Sequence, residues 1–105
     1  MIRVLLEVQE GVLRTLEVEG HATRRGSLSI PCAGVSILAR TAARLLEERL
    51  GGLLEGEASE EGSLWIRIPF VATDREWLEG VTAFLKKGFE DLAREYPEDI
   101  DYREE

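Results

Sequence analysis

The chain has 105 residues, 44% of them apolar, which is enough for one domain with a modest core. Its formal net charge of −8 repels phosphate backbones, so a direct nucleic-acid ligand is not expected, and an acidic surface suits basic partners instead. No apolar run approaches the ~18 residues of a membrane span, so no membrane partner is expected either.

Residues 2–9 alternate apolar and polar side chains, Glu10-Gly11 supplies a turn, and residues 12–19 alternate again with Val12, Leu16 and Val18 apolar. The pattern predicts a β-hairpin with one buried face, ended by Gly20. The start carries charge early and has no long apolar run before a small-residue cleavage site, so no secretion signal is expected. Residues 22–29 (Ala-Thr-Arg-Arg-Gly-Ser-Leu-Ser) have no period and read as a loop. Ser29 is a candidate N-cap, with Pro31 in the first turn, where a missing N–H costs nothing.

A helix is predicted from residue 31 or 32 to 50. Its apolar stripe is Val35, Leu38, Ala42, Leu45, Leu46 and Leu50, with Arg40, Arg44, Glu47, Glu48 and Arg49 outside and Gly51-Gly52 as the stop. Residues 53–58 and 63–70 predict a second hairpin. Leu64, Ile66 and Ile68 face one way, and Trp65 faces the other as a candidate dimer or substrate surface. Thr73 or Asp74 caps a second helix, with Glu76 three after Thr73 in a capping box. That helix turns Trp77, Val81, Phe84, Leu85, Phe89 and Leu92 inward, and Trp77, Phe84 and Phe89 are expected in the core. The acidic tail from Pro97 either adds a short strand or frays. The order ββαββα predicts an α+β fold in two layers: a mainly antiparallel sheet with two helices on one face, as a single domain over residues 1–105.

The chemistry gathers in one stretch. Cys32 and His21 are each the only residue of their kind. A single cysteine cannot close an intrachain disulfide, which points to a reducing, cytoplasmic compartment. Cys32 falls where the loop becomes a helix, and the helix dipole and the N–H groups of the first turn favour an anionic sulfur there. An imidazole nearby can take the thiol proton and return it to a leaving group. Ala33 and Gly34 are small and leave room for a substrate. Ser36 lies four residues after Cys32 on the same helix face, where it can bond the thiol, the histidine, a substrate or its own helix carbonyl. Ser29 is either a cap or a third catalytic position. One histidine and one cysteine are too few for a closed zinc site, so no metal is expected. A purely structural reading stands beside the catalytic one: a lone cysteine is usually a small buried hydrophobe, and a histidine just past a strand is usually structural.

In combination, Gly20-His21-Ala22, the loop, and Ile30-x-Cys32-Ala33-Gly34-x-Ser36 resemble the signature of the ribosomal-processing cysteine proteases, the Prp family. The resemblance runs along the whole chain. It implies a small α+β homodimer without a cofactor. It also implies a cysteine endopeptidase that removes the N-terminal extension of a large-subunit ribosomal protein. By position, Cys32 would be the nucleophile, His21 the general base and Ser36 the motif serine. Gly20, Ala33, Gly34 and Ser29 would support them, and the loop would order over a bound peptide. An acidic enzyme suits a basic ribosomal segment. One residue departs from the pattern: the family commonly carries aspartate three positions before the cysteine, where Ser29 stands. Serine brings no charge to an imidazolium, so a weakened activity is expected. The alternative is a non-catalytic dimeric module that grips a basic ribosomal tail.

Overall fold

The alternation in residues 2–19 folds as a hairpin of β1 (Ile2–Gln9) and β2 (Val12–Glu19). Both turn residues have positive φ, 54° at Glu10 and 80° at Gly11, the combination a two-residue hairpin turn needs to match strand twist. The structure is a computed structural model and describes residues 1–20, 30–60, 63–69 and 74–105. Within the hairpin the register slips: Glu7 opposes Thr15 and Val8 opposes Leu13, leaving Arg14 as the extra residue of a bulge. The slip puts Leu13, rather than the expected Val12, inside with Leu16 and Val18.

Five strands form one sheet in the order β3-β4-β2-β1-β5, with β3 at Glu55–Glu60, β4 at Ser63–Arg67 and β5 at Ile100–Glu104. All neighbours are antiparallel except β5, which lies parallel to β1. The α+β class, the two layers and the helices on one face are as expected, but the element order is ββαββαβ. The added strand forms because Ile100 and Tyr102 alternate with charged residues, and β5 pairs Ile100 with Ile2 and Tyr102 with Val4. β3 begins later than expected because Gly51–Leu53 winds a short 3₁₀ turn. β4 ends earlier, and the Ile68 N–H donates to the Arg14 carbonyl at 2.8 Å. Phe70 lies outside the described residues.

The helices α1 (Ile30–Leu50) and α2 (Arg75–Glu95) cover the sheet face that carries Ile2, Val4, Leu6, Leu16, Val18, Leu64, Ile66 and Ile100. Trp65 projects from the opposite face, as its alternation predicts, with the Arg67 guanidinium 5.8 Å from its ring centre. Two helical expectations are corrected. Phe84 is not core but 68% exposed, and Leu45 is also exposed. The buried positions of α2 are Leu78, Thr82, Leu85 and Phe89, at steps of four, three and four. Phe84 lies about 100° round from Leu85 on such a helix and looks outward over α1. There, with Ile37, Leu45, Trp77 and Val81, it lines an apolar groove of about 520 Å³ between the helices. Of the two expected caps, only Asp74 lies among the described residues and Thr73 lies outside them. Asp74 makes no side-chain cap bond; its carboxylate holds Arg49 at 3.0 Å.

Candidate active site

Gly20 ends β2 at φ 101°, and a Cβ there would collide with the carbonyl oxygen of Met1. Only glycine takes that backbone conformation at so close an approach without strain. The same end of the sheet holds the start of β1, since Arg3 opposes Glu19, and the start of β5, since the Ile2 N–H donates to Asp99 O at 2.8 Å. From there the chain leads to the end of α2: the Ile100 N–H donates to Tyr96 O at 3.0 Å, and the Tyr96 N–H to Leu92 O at 2.9 Å. Leu92 in turn lies against Gly34 near the start of α1. The topology therefore brings the strand end at Gly20 and the helix start at Cys32 to one end of the fold.

Cys32 is the third residue of α1, half-buried, and packs on the edge of the hydrophobic core. The first turn of a helix keeps its N–H groups outside the intrahelical ladder. Pro31 has no N–H, so this turn presents those of Ile30 and Cys32. Ala33 is exposed, which leaves its side of the turn open. The space beside Gly34 is filled by Leu92 rather than left for a substrate. Ser36 is exposed, and among the described residues its hydroxyl makes no hydrogen bond, to its own helix or elsewhere. His21 and Ser29 lie outside the described residues. Among the described residues no cluster of His, Cys, Asp or Glu can hold a metal ion, and no helix is long and apolar enough to cross a membrane.

Glu19, Glu95 and Glu98 are exposed at this end, together with Arg3 and Arg94. Beside it, Tyr102 turns its ring to Phe89, with ring centres 6.0 Å apart, and buries a hydroxyl that has no hydrogen-bond partner among the described residues. Burial pushes the Tyr102 phenol up to about 12, and the carboxylates of Glu104 and Glu90 add to the rise. Sequence reasoning did not single out Tyr102, although Ile100-x-Tyr102 alternates. It also missed Thr82 and the reciprocal pairing of glycines and leucines between the helices, which leave no periodic signal.

Residues 1–101 match the family model described as Cysteine protease Prp. No curated protein is similar enough in sequence to match. Among solved structures, the chain resembles the essential ribosomal processing protease Prp from S. aureus in complex with a covalently linked product peptide. The TM-score is 0.82 at 20% identity, over 100% of both chains. The same protease in complex with a substrate peptide gives 0.78 at 19% identity, again over 100% of both. SMU.848 from Streptococcus mutans gives 0.74 at 25% identity, over 99% of this chain and 93% of that one. The likeness to the S. aureus structures, at these identities, is one of fold.

Proposed function

The chain belongs to the Prp cysteine protease family, and from that premise we propose that it is an endopeptidase with Cys32 as nucleophile and His21 as general base. The observation that carries the reading is the family match over residues 1–101 in a chain whose sole cysteine stands in the first turn of a helix. His21 takes the proton from the Cys32 sulfur, and the thiolate attacks the scissile carbonyl carbon. Backbone N–H groups at the start of α1, that of Cys32 among them, donate to the oxyanion of the tetrahedral intermediate. Its collapse breaks the C–N bond, and the imidazolium gives its proton to the departing amine. Water, deprotonated by His21, then hydrolyses the thioester and frees the sulfur. Ser36, on the exposed side of the same helix, contacts the peptide, and Gly20 lets the chain leave β2 toward His21.

The substrate is the basic N-terminal segment of a large-subunit ribosomal protein. The net charge of −8 and the exposed glutamates at this end of the sheet support that choice, because opposite charge speeds encounter. The reaction needs no cofactor, and its setting is the cytoplasm, where ribosomes are assembled. The enzyme is a homodimer that joins through the groove between α1 and α2. The centre of that groove is apolar, so two acidic copies can bring it together without opposing like charges. Ser29 in the position of the family aspartate leaves the imidazolium without a charged neighbour there and lowers turnover. That serine also favours the second reading, a module that binds the ribosomal tail without cutting it.

The test is incubation with peptides covering the start of that ribosomal protein from the same organism, followed by mass spectrometry, beside Cys32→Ala and Ser29→Asp. The wild-type chain is expected to cut, Cys32→Ala to bind without cutting, and Ser29→Asp to cut faster. Binding with no wild-type cleavage across all peptides selects the module, and equal cleavage by Cys32→Ala removes Cys32 from the reaction.

A further inference from the structure

α1 and α2 meet through two reciprocal notches. Gly34 of α1 faces Leu92 of α2, and Gly88 of α2 faces Leu38 of α1. A Cβ on Gly34 would lie 2.8 Å and 3.3 Å from the two methyl carbons of Leu92. A Cβ on Gly88 would lie the same 2.8 Å and 3.3 Å from those of Leu38. Glycine weakens a helix relative to alanine, so each notch is kept against a local cost.

The two notches match in geometry and differ in place. Gly88 and Leu38 sit in the body of the helix pair. Gly34 comes two residues after Cys32, where the first turn of α1 closes, with only that one turn before it, so the place of that turn follows what Gly34 leans on. What it leans on is anchored: Leu92 is partly buried and packs against the core, and its carbonyl holds the Tyr96 N–H in the turn that leads to β5. Both methyls of Leu92 lie close to Gly34, so rotating one away brings the other in.

We propose that Gly34 and Leu92 are a positioning pair for the thiol, which rests on the reading of Cys32 as nucleophile. The closeness that Gly34 permits sets the depth of the first turn of α1 and with it the place of the Cys32 sulfur and of the Cys32 N–H. Leu92 touches no reacting atom and acts only through that turn.

The experiment compares Gly34→Ala, Gly88→Ala, Leu92→Val and the double variant Gly34→Ala/Leu92→Val in the full chain. Each is read by the rate of Cys32 alkylation by iodoacetamide and by kcat and KM on the peptide substrate. Gly34→Ala is expected to slow alkylation and kcat by about tenfold to a hundredfold, the scale of a nucleophile displaced by about 1 Å, with KM unchanged. Shortening Leu92 to valine in the same chain restores most of both rates, and Gly88→Ala leaves both at the wild-type value. Should Gly34→Ala not fold, Leu92→Met beside the native Gly34 presses the same notch from the other helix and is expected to slow both rates. Wild-type rates in Gly34→Ala, or equal slowing by Gly88→Ala, overturn the positioning role. A loss that Leu92→Val does not restore also overturns it, because Gly34 would then be making room for substrate. Absence of peptide cleavage by the wild-type chain overturns the protease reading itself, independently of the alkylation comparison.

Discussion

Among the described residues, Thr82 is the polar residue that the core buries outright, with 2% of its surface exposed. Its Oγ1 accepts the Leu13 N–H at 2.8 Å and donates to the Leu78 carbonyl at 2.7 Å. The bulge at Arg14 is what turns the Leu13 amide toward α2, so this hydroxyl pins the helix to the hairpin. Thr82→Val keeps the shape and removes the acceptor, leaving a buried N–H unpaired. That costs about 1–3 kcal/mol, and about 2 kcal/mol lowers the melting temperature of a chain this size by about 10 °C. Thr82→Ser keeps the hydroxyl and loses one methyl, about 0.8 kcal/mol. Urea denaturation followed by circular dichroism should therefore rank the three as threonine, then serine, then valine, with m unchanged. Packing alone ranks valine above serine, because valine conserves volume. A valine variant as stable as the wild type, or more stable than the serine variant, would refute the pinning role.

Tyr102 gives a pH-dependent expectation. Its phenol is raised from 10.0 to about 12, so between those values the folded chain holds a proton that the unfolded chain has lost. The stabilisation is complete below the unfolded value and disappears as pH climbs toward the folded one. Discounted for the partly solvated ring, it amounts to about 1 kcal/mol. Urea midpoints at about pH 9 and about pH 11 should converge for Tyr102→Phe and separate for the wild type; parallel behaviour removes Tyr102 as the cause. Phe84→Glu places a charge in the groove between the helices, and light scattering should then report half the wild-type mass. A dimer that persists puts the interface elsewhere.

The hairpin was legible because alternation and a Glu-Gly turn are local signals, but the bulge was not. One extra residue moved Leu13 inward where simple alternation places Val12. In α2 the helical period was right and the inward direction was not. An apolar arc that spans Trp77, Phe84 and Phe89 does not reveal which part meets the sheet and which part looks over a neighbouring helix. β5 was half-visible, since two apolar residues in an acidic tail become a strand only when β1 offers an edge. At the site, Cys32 at a helix start could be read from Pro31 and the aperiodic residues before it. The meaning of Gly34 could not, because Leu92 stands 58 positions further along and reaches it only through the antiparallel arrangement of the helices. Asp74 shows the same limit: its carboxylate was free to cap until Arg49 came within 3.0 Å.

The parallel pairing of β1 with β5 has a consequence for synthesis. Of the strands in this sheet, β1 is translated first and its outer neighbour last, with Ile2 waiting for Ile100. Closing so long a stretch of chain is the entropically slow step of assembly. A nascent polypeptide therefore completes the corner that holds Cys32 only after β5 has emerged, and a half-made copy still on its ribosome lacks the strand that ties the end of α2 to β1.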